Sequence, residues 1–130
     1  MKELKELNLY NCGISDIGFL EKVKFENLEI LYLRGNKIIN INILEKVNFK
    51  ELKGLNLSIN KISNIKILEN VNLKELKELD LSWCNISDIG FLENIKFEKL
   101  EILKLSENKV SNIKILEKLN LKKLKELIYY

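Results

Sequence analysis

The sequence predicts one α/β repeat solenoid: a curved arc with a concave parallel β-sheet and short 3₁₀ or α segments on its convex side. Three observations predict it. Leu4, Leu28, Leu52, Leu76, Leu100 and Leu124 stand 24 residues apart without a slip. Each opens the same pattern, L-x-x-L-x-L-x-x-[NC]-x-[IV]-x-x-I-x-[FI]-L-E-x-[VIL]-x-[FL], through five full units and a stub from Leu124 to Tyr130. Within each unit the apolar spacing changes from two to three. Self-similarity at such a period marks stacked coils, each of which can bury its apolar side only against its neighbours.

The strands come first in each unit. Leu7 and Leu9 alternate with Glu6, Asn8 and Tyr10, and the same alternation recurs at Leu31/Leu33, Leu55/Leu57, Leu79/Leu81 and Leu103/Leu105. Alternation is the signature of a strand with one buried face. Strands are therefore expected near residues 6–9, 30–33, 54–57, 78–81 and 102–105, paired in parallel because each coil runs the same way. After each strand, Ile14, Ile17, Leu20 and Val23 recur every three residues. That spacing suits a 3₁₀ or short α segment on the opposite wall. Phe19 and Phe25 add bulk there, so the back is wider than the strand wall and the stack must curve.

Between strand and convex segment lies a column of polar residues among apolar ones: Asn36, Asn60 and Asn108, with Cys12 and Cys84 in the same place. A buried amide must find partners. Neighbouring coils offer free backbone groups, so these side chains are expected to form a buried ladder, with small thiols filling the role in two coils. Coils spaced as strands are put Cys12 and Cys84 at least ~14 Å apart, and a disulfide needs Cα atoms within about 7 Å. No intramolecular bridge is expected.

The segment Leu28-Glu29-Ile30-Leu31-Tyr32-Leu33-Arg34-Gly35-Asn36-Lys37-Ile38 resembles the core motif of the leucine-rich repeat family, L-x-x-L-x-L-x-x-N/C-x-L, with Ile in the last position. The motif returns at Leu52 to Ile62 and Leu100 to Val110, and the resemblance covers the chain from Leu4 onward. Its Ile-rich second half is similar to the short-repeat subclass that includes phosphatase regulators. Each unit here is longer, and no phosphatase-binding role is carried over. The resemblance implies a non-catalytic module with protein or peptide partners and no cofactor.

Composition agrees. The chain has 130 residues, the size of one domain, and no linker or composition shift divides it. With 46% apolar and 32% charged residues it has the material for a core. A net charge of +3 gives no warrant for nucleic acid or a membrane surface as partner. There is no His, so the usual general base and the commonest metal ligand are missing. No nucleophile–base pair, phosphate loop or metal cluster is present. The charged opening residues lack the apolar run of a signal peptide. With two cysteines that cannot pair, this favours a cytoplasmic setting. The pattern starts and stops without a polar cap, so the array is expected to be a piece of a longer one, or to associate end to end.

The repeats differ in an instructive way. Residues 12–31 and 84–103 match at 16 of 20 positions, and residues 64–79 and 112–127 at 13 of 16. Core and convex wall are nearly copied, including the acidic column Glu21, Glu45, Glu69, Glu93 and Glu117, which reads as a solvated face. The outward strand positions are not copied. They gather Tyr10, Tyr32, Arg34, Ile59 and Trp83, with Asp80 and Lys104 among them. Tyr, Trp and Arg are enriched at binding hot spots, so these seven residues are the candidate partner-binding set on the concave face. The alternatives are drift of exposed positions, Arg34 packing over a tyrosine ring, and an array that serves only as a spacer.

Overall fold

The computed structural model describes residues 2–119 and 121–130. Its strands are β1 (Glu6–Asn8), β2 (Ile30–Tyr32), β3 (Gly54–Asn56), β4 (Glu78–Asp80), β5 (Ile102–Lys104) and β6 (Glu126–Ile128). They form one sheet in chain order, and every pair is parallel. The register steps by one repeat each time, with Leu7 opposite Leu31, then Leu55, Leu79, Leu103 and Leu127. The five expected strands are present, and the stub supplies the sixth.

The convex segments are short, one turn or two: α-helical at Phe19–Lys22 and Lys114–Glu117, 3₁₀ at Asn42–Glu45, Ile65–Asn70 and Gly90–Glu93. A column that the sequence reading did not single out starts most of them. Asp16, Asn40, Asp88 and Asn112 each turn a side-chain oxygen onto the backbone N–H two residues on, at 2.8 to 3.1 Å. Such Asx turns bend the chain into its first helical turn. Asn64 departs from the rule. It accepts the N–H of Ile41 in the coil before and donates to Asn40 and Asn42.

Between the two walls lies one continuous core. Leu28, Leu31, Leu33, Leu52, Leu57, Leu76, Leu79, Leu81, Leu100 and Leu103 are fully buried. Phe25, Phe49 and Phe97 fill the back. The end coils differ because each has a neighbour on one side only. Leu4, Leu7, Leu9, Leu124 and Leu127 are only partly buried.

The polar ladder follows the expected geometry in the middle of the array and departs from it at the ends. Asn60 is buried and donates to the carbonyls of Leu33, Leu57 and Ser58, while its oxygen accepts the N–H of Ile38. Asn36 is also buried, and its oxygen takes the N–H groups of Cys12 and Ile14. Cys84 is closed off, with its thiol directed at the Leu57 carbonyl 3.1 Å away. Burial pushes that thiol up to about 12, with Asp80 adding to the shift. Two expectations need correction. Cys12 is exposed, since it lies in the first described coil and is covered from one side only. Asn108 is half-buried rather than buried, because only the short β6 stub follows it, although it keeps its bonds to Leu81, Leu105, Cys84 and Ile86.

Candidate functional site: the concave face and its rim

The outward face of the sheet has three rows, at the positions of Glu6, Asn8 and Tyr10 in the first coil. A fourth row, Asn11, Gly35, Ile59, Trp83 and Glu107, sits just past the strands and forms a rim. Pairing continues beyond the strand ends to reach it. Asn11, Gly35, Ile59 and Trp83 donate their N–H groups to the carbonyls of Arg34, Ser58, Ser82 and Ser106 at 2.9 to 3.0 Å.

The whole rim lies in the left-handed region: φ is +53° at Asn11, +73° at Gly35, +53° at Ile59, +56° at Trp83 and +57° at Glu107. The cause is local. The rim N–H must close the last rung of the sheet while the next side chain turns into the ladder, and a left-handed residue makes that reversal. Gly and Asn suit it; a β-branched side chain is an outlier there. Ile59 and Trp83 nevertheless hold the position, and their side chains face solvent at 40% and 57% exposure. Sequence reading placed both residues in the candidate set but missed their conformation. The one signal was Asn11 and Gly35 in the same column.

Within the outer rows, short polar residues have backbone work. Asn8, Asn56 and Asp80 each accept the N–H two residues on, from Tyr10, Ser58 and Ser82. Asp80 is thereby nearly closed to solvent, at 8% exposure, and offers a partner little surface. Tyr32 and Lys104 occupy the same row without that role. Lys104 instead reaches Glu78 at 3.2 Å, and that bond raises the lysine's pKa.

The remaining candidates divide into two groups. Tyr10, 57% exposed, lies across Gly35, where an added Cβ would meet its ring at 3.6 Å. Arg34 reaches forward and donates to the Ser58 hydroxyl at 3.2 Å, and that hydroxyl in turn donates to Asn56. Tyr10, Tyr32 and Arg34 thus belong to the first two coils, Ile59 and Trp83 to the rim of the third and fourth. On the convex wall, Glu45 and Glu69 accept from Asn70 and Asn94 of the following coils rather than from the lysines beside them. Among the described residues no group of three His, Cys, Asp or Glu side chains could hold a metal ion, and no helix is long and apolar enough to cross a membrane.

This architecture defines a class, and comparison with known proteins agrees on which. Residues 2–46 match the family model described as leucine-rich repeats in two copies, and residues 72–91 match a leucine-rich repeat model. The chain belongs to the leucine-rich repeat family. Among solved structures it is similar to internalin C2 of Listeria monocytogenes, at 29% identity and a TM-score of 0.77, over 94% of this chain and 50% of that one. It is also similar to the internalin inlF of the same organism, at 33% identity and a TM-score of 0.76, over 97% of this chain and 34% of that one. The chain thus spans half or less of each of these two structures. No curated protein matches the sequence. Arrays of this family are in general protein-interaction modules.

Proposed function

We propose that this array binds a protein or peptide on its concave face, with Tyr10, Tyr32 and Arg34 on one side of the contact and Ile59 and Trp83 on the rim. The observation that carries this reading is the rim conformation. Left-handed backbone costs an L-residue roughly 1–2 kcal/mol, and Ile59 and Trp83 recover little of that by burial because their side chains stand in solvent. Strain held at an exposed apolar residue is the pattern expected where contact with a partner, rather than folding, keeps the residue in place. Aromatic and Arg anchors beside it fit the composition of hot spots. Lys104 flanks the contact; Asp80 supports it from beneath.

The test is a titration with peptides selected from a random library against the whole chain. Trp83→Ala, and separately Tyr32→Ala combined with Arg34→Ala, should each weaken binding by more than about 1 kcal/mol. Reversing Glu45 and Glu69 to Lys on the convex wall should change neither binding nor melting. Binding that survives the concave changes and is lost with the convex ones overturns the assignment. Equal binding by all variants makes the array a spacer.

A further inference from the structure

A groove runs over β3, enclosing about 540 Å³ above Gly54, Leu55 and Asn56. Gly54 opens it. The other residues of its row are Glu6, Ile30, Glu78, Ile102 and Glu126, all with long side chains. The backbone does not require glycine here. Its φ lies outside the left-handed region, and an added Cβ would make ordinary contact, 3.8 Å from Ile30. Glycine inside a strand weakens it, so the gap runs against stability.

The charges along the groove are unevenly answered. Each carboxylate on its far side has an internal partner: Glu78 with Lys104 at 3.2 Å, Glu101 with Lys125 at 3.1 Å, Asp80 with the Ser82 N–H. The cations on its near side do not. Lys77 forms no ion pair among the described residues, and neither does Arg34. Lys53 reaches Glu29 only at 3.7 Å. The next carboxylate, Glu75, is taken by Lys99, and its pKa is lowered first by that bond, with Lys53 and Lys77 adding through space. The positive side chains are therefore the ones left for a partner.

Lys53 and Lys77 sit side by side at the start of the groove, since the Lys77 N–H donates to the Lys53 carbonyl. Arg34 is not part of the groove lining; it stands just beyond the other end, where its guanidinium donates to Ser58. The ends lie five residue steps apart, from Lys53 to Ser58, roughly 16 Å at strand rise. We infer that this groove takes an extended acidic segment of a protein partner, with one carboxylate at Lys53 and Lys77, an aliphatic side chain over Gly54 and Ile30, and a second carboxylate at Arg34. The inference rests on the concave-face reading and adds the chemistry of the occupant. A nucleic acid fits less well, because it carries a phosphate at every residue, whereas apolar Ile30 and Leu55 line the groove between its ends.

The probes are three degenerate peptide pools, alike except for the two residues that flank a fixed leucine: aspartates, asparagines or lysines, spaced to span the groove. Each is titrated against the whole chain by fluorescence anisotropy. The aspartate pool should bind at least about tenfold tighter than the asparagine pool, the scale of one charge-assisted hydrogen bond. The lysine pool should bind weakest. Lys77→Glu and Arg34→Glu should each abolish the preference for aspartate. Gly54→Leu should remove binding by filling the groove. Should Gly54→Leu misfold, the two charge variants, at exposed or half-exposed positions, still decide the matter. Equal behaviour of the aspartate and asparagine pools, including no binding by either, overturns the inference. So does a preference that survives both charge reversals, or displacement of the aspartate pool by single-stranded oligothymidylate. These results leave the broader reading to be judged separately, by the effect of Trp83→Ala on library-selected peptides.

Discussion

The convex wall and the concave face are made by the same repeating unit, yet they use their residues differently. On the convex side many recurring polar residues help to hold the coils in place. Asp16, Asn40, Asp88 and Asn112 start the turns, while Glu45 and Glu69 accept from the next coil. On the concave side several residues do none, and some act against the fold. Ile59 and Trp83 occupy left-handed backbone with their side chains in solvent, and Gly54 opens a strand without a side chain. Repeats hold a position constant where stacking needs it. Where stacking has no need of the residue found, drift and a requirement outside the fold are the two physical reasons for it, and the proposed function takes the second. Proteins commonly break local rules at functional sites and offset the cost elsewhere.

The comparison can be broken first at the ladder, which serves both walls. Asn60→Ala leaves the Ile38 N–H unpaired in the core and takes one of two donors from each of the Leu33, Leu57 and Ser58 carbonyls, which keep Asn36, the Cys84 thiol and the Gly35 N–H. It should cost about 2 kcal/mol, at roughly 1–3 kcal/mol for a buried group left unpaired. Asn108→Ala, half-buried at the end of the array, should cost about a third of that, since water can reach the freed groups. Urea unfolding of the two variants measures the difference. Equal losses would mean that the end coils are as tightly packed as the middle.

The two cysteines sharpen the same contrast. Cys84 is an acid whose folded-state pKa is raised, from 9.0 to about 12. The unfolded chain therefore releases this proton first. Between those values the unfolded state binds fewer protons than the folded one, and stability falls as pH rises. Lysines and tyrosines titrate in the same range, so the quantity to measure is the difference between wild type and Cys84→Ala. Wild type should lose its advantage progressively above about pH 9. In the folded protein a thiol reagent should label exposed Cys12 and spare Cys84 until unfolding. A flat difference, or equal labelling, would place Cys84 outside the core.

Most of the fold was legible in the sequence because a repeat reports each position several times. Leu at the two inward strand positions of every unit and Asn or Cys between apolar columns leave one arrangement of strand, ladder and convex turn. Position within the array was less legible. Cys12 and Asn108 look like Cys84 and Asn60 in the repeat, but their burial depends on coils to either side, which a motif does not encode. The site was legible only as chemistry. Trp83, Ile59 and Arg34 stand out as residue types, whereas their geometry depends on features no single column shows. The left-handed rim is set by the last sheet hydrogen bond, and the groove by one absent side chain beside Ile30. Asp80 shows the opposite error: a charged residue in a variable row, drawn in by the Ser82 N–H.

The central claim is that the strained rim is kept for binding, and Ile59→Gly tests it most directly. Glycine accepts left-handed backbone without penalty. The account predicts that this one change raises stability to urea by about 1 kcal/mol while weakening library-selected peptides by more than about 1 kcal/mol. A variant that gains stability and binds as well as wild type would contradict it, because the isoleucine would then be strain without a use.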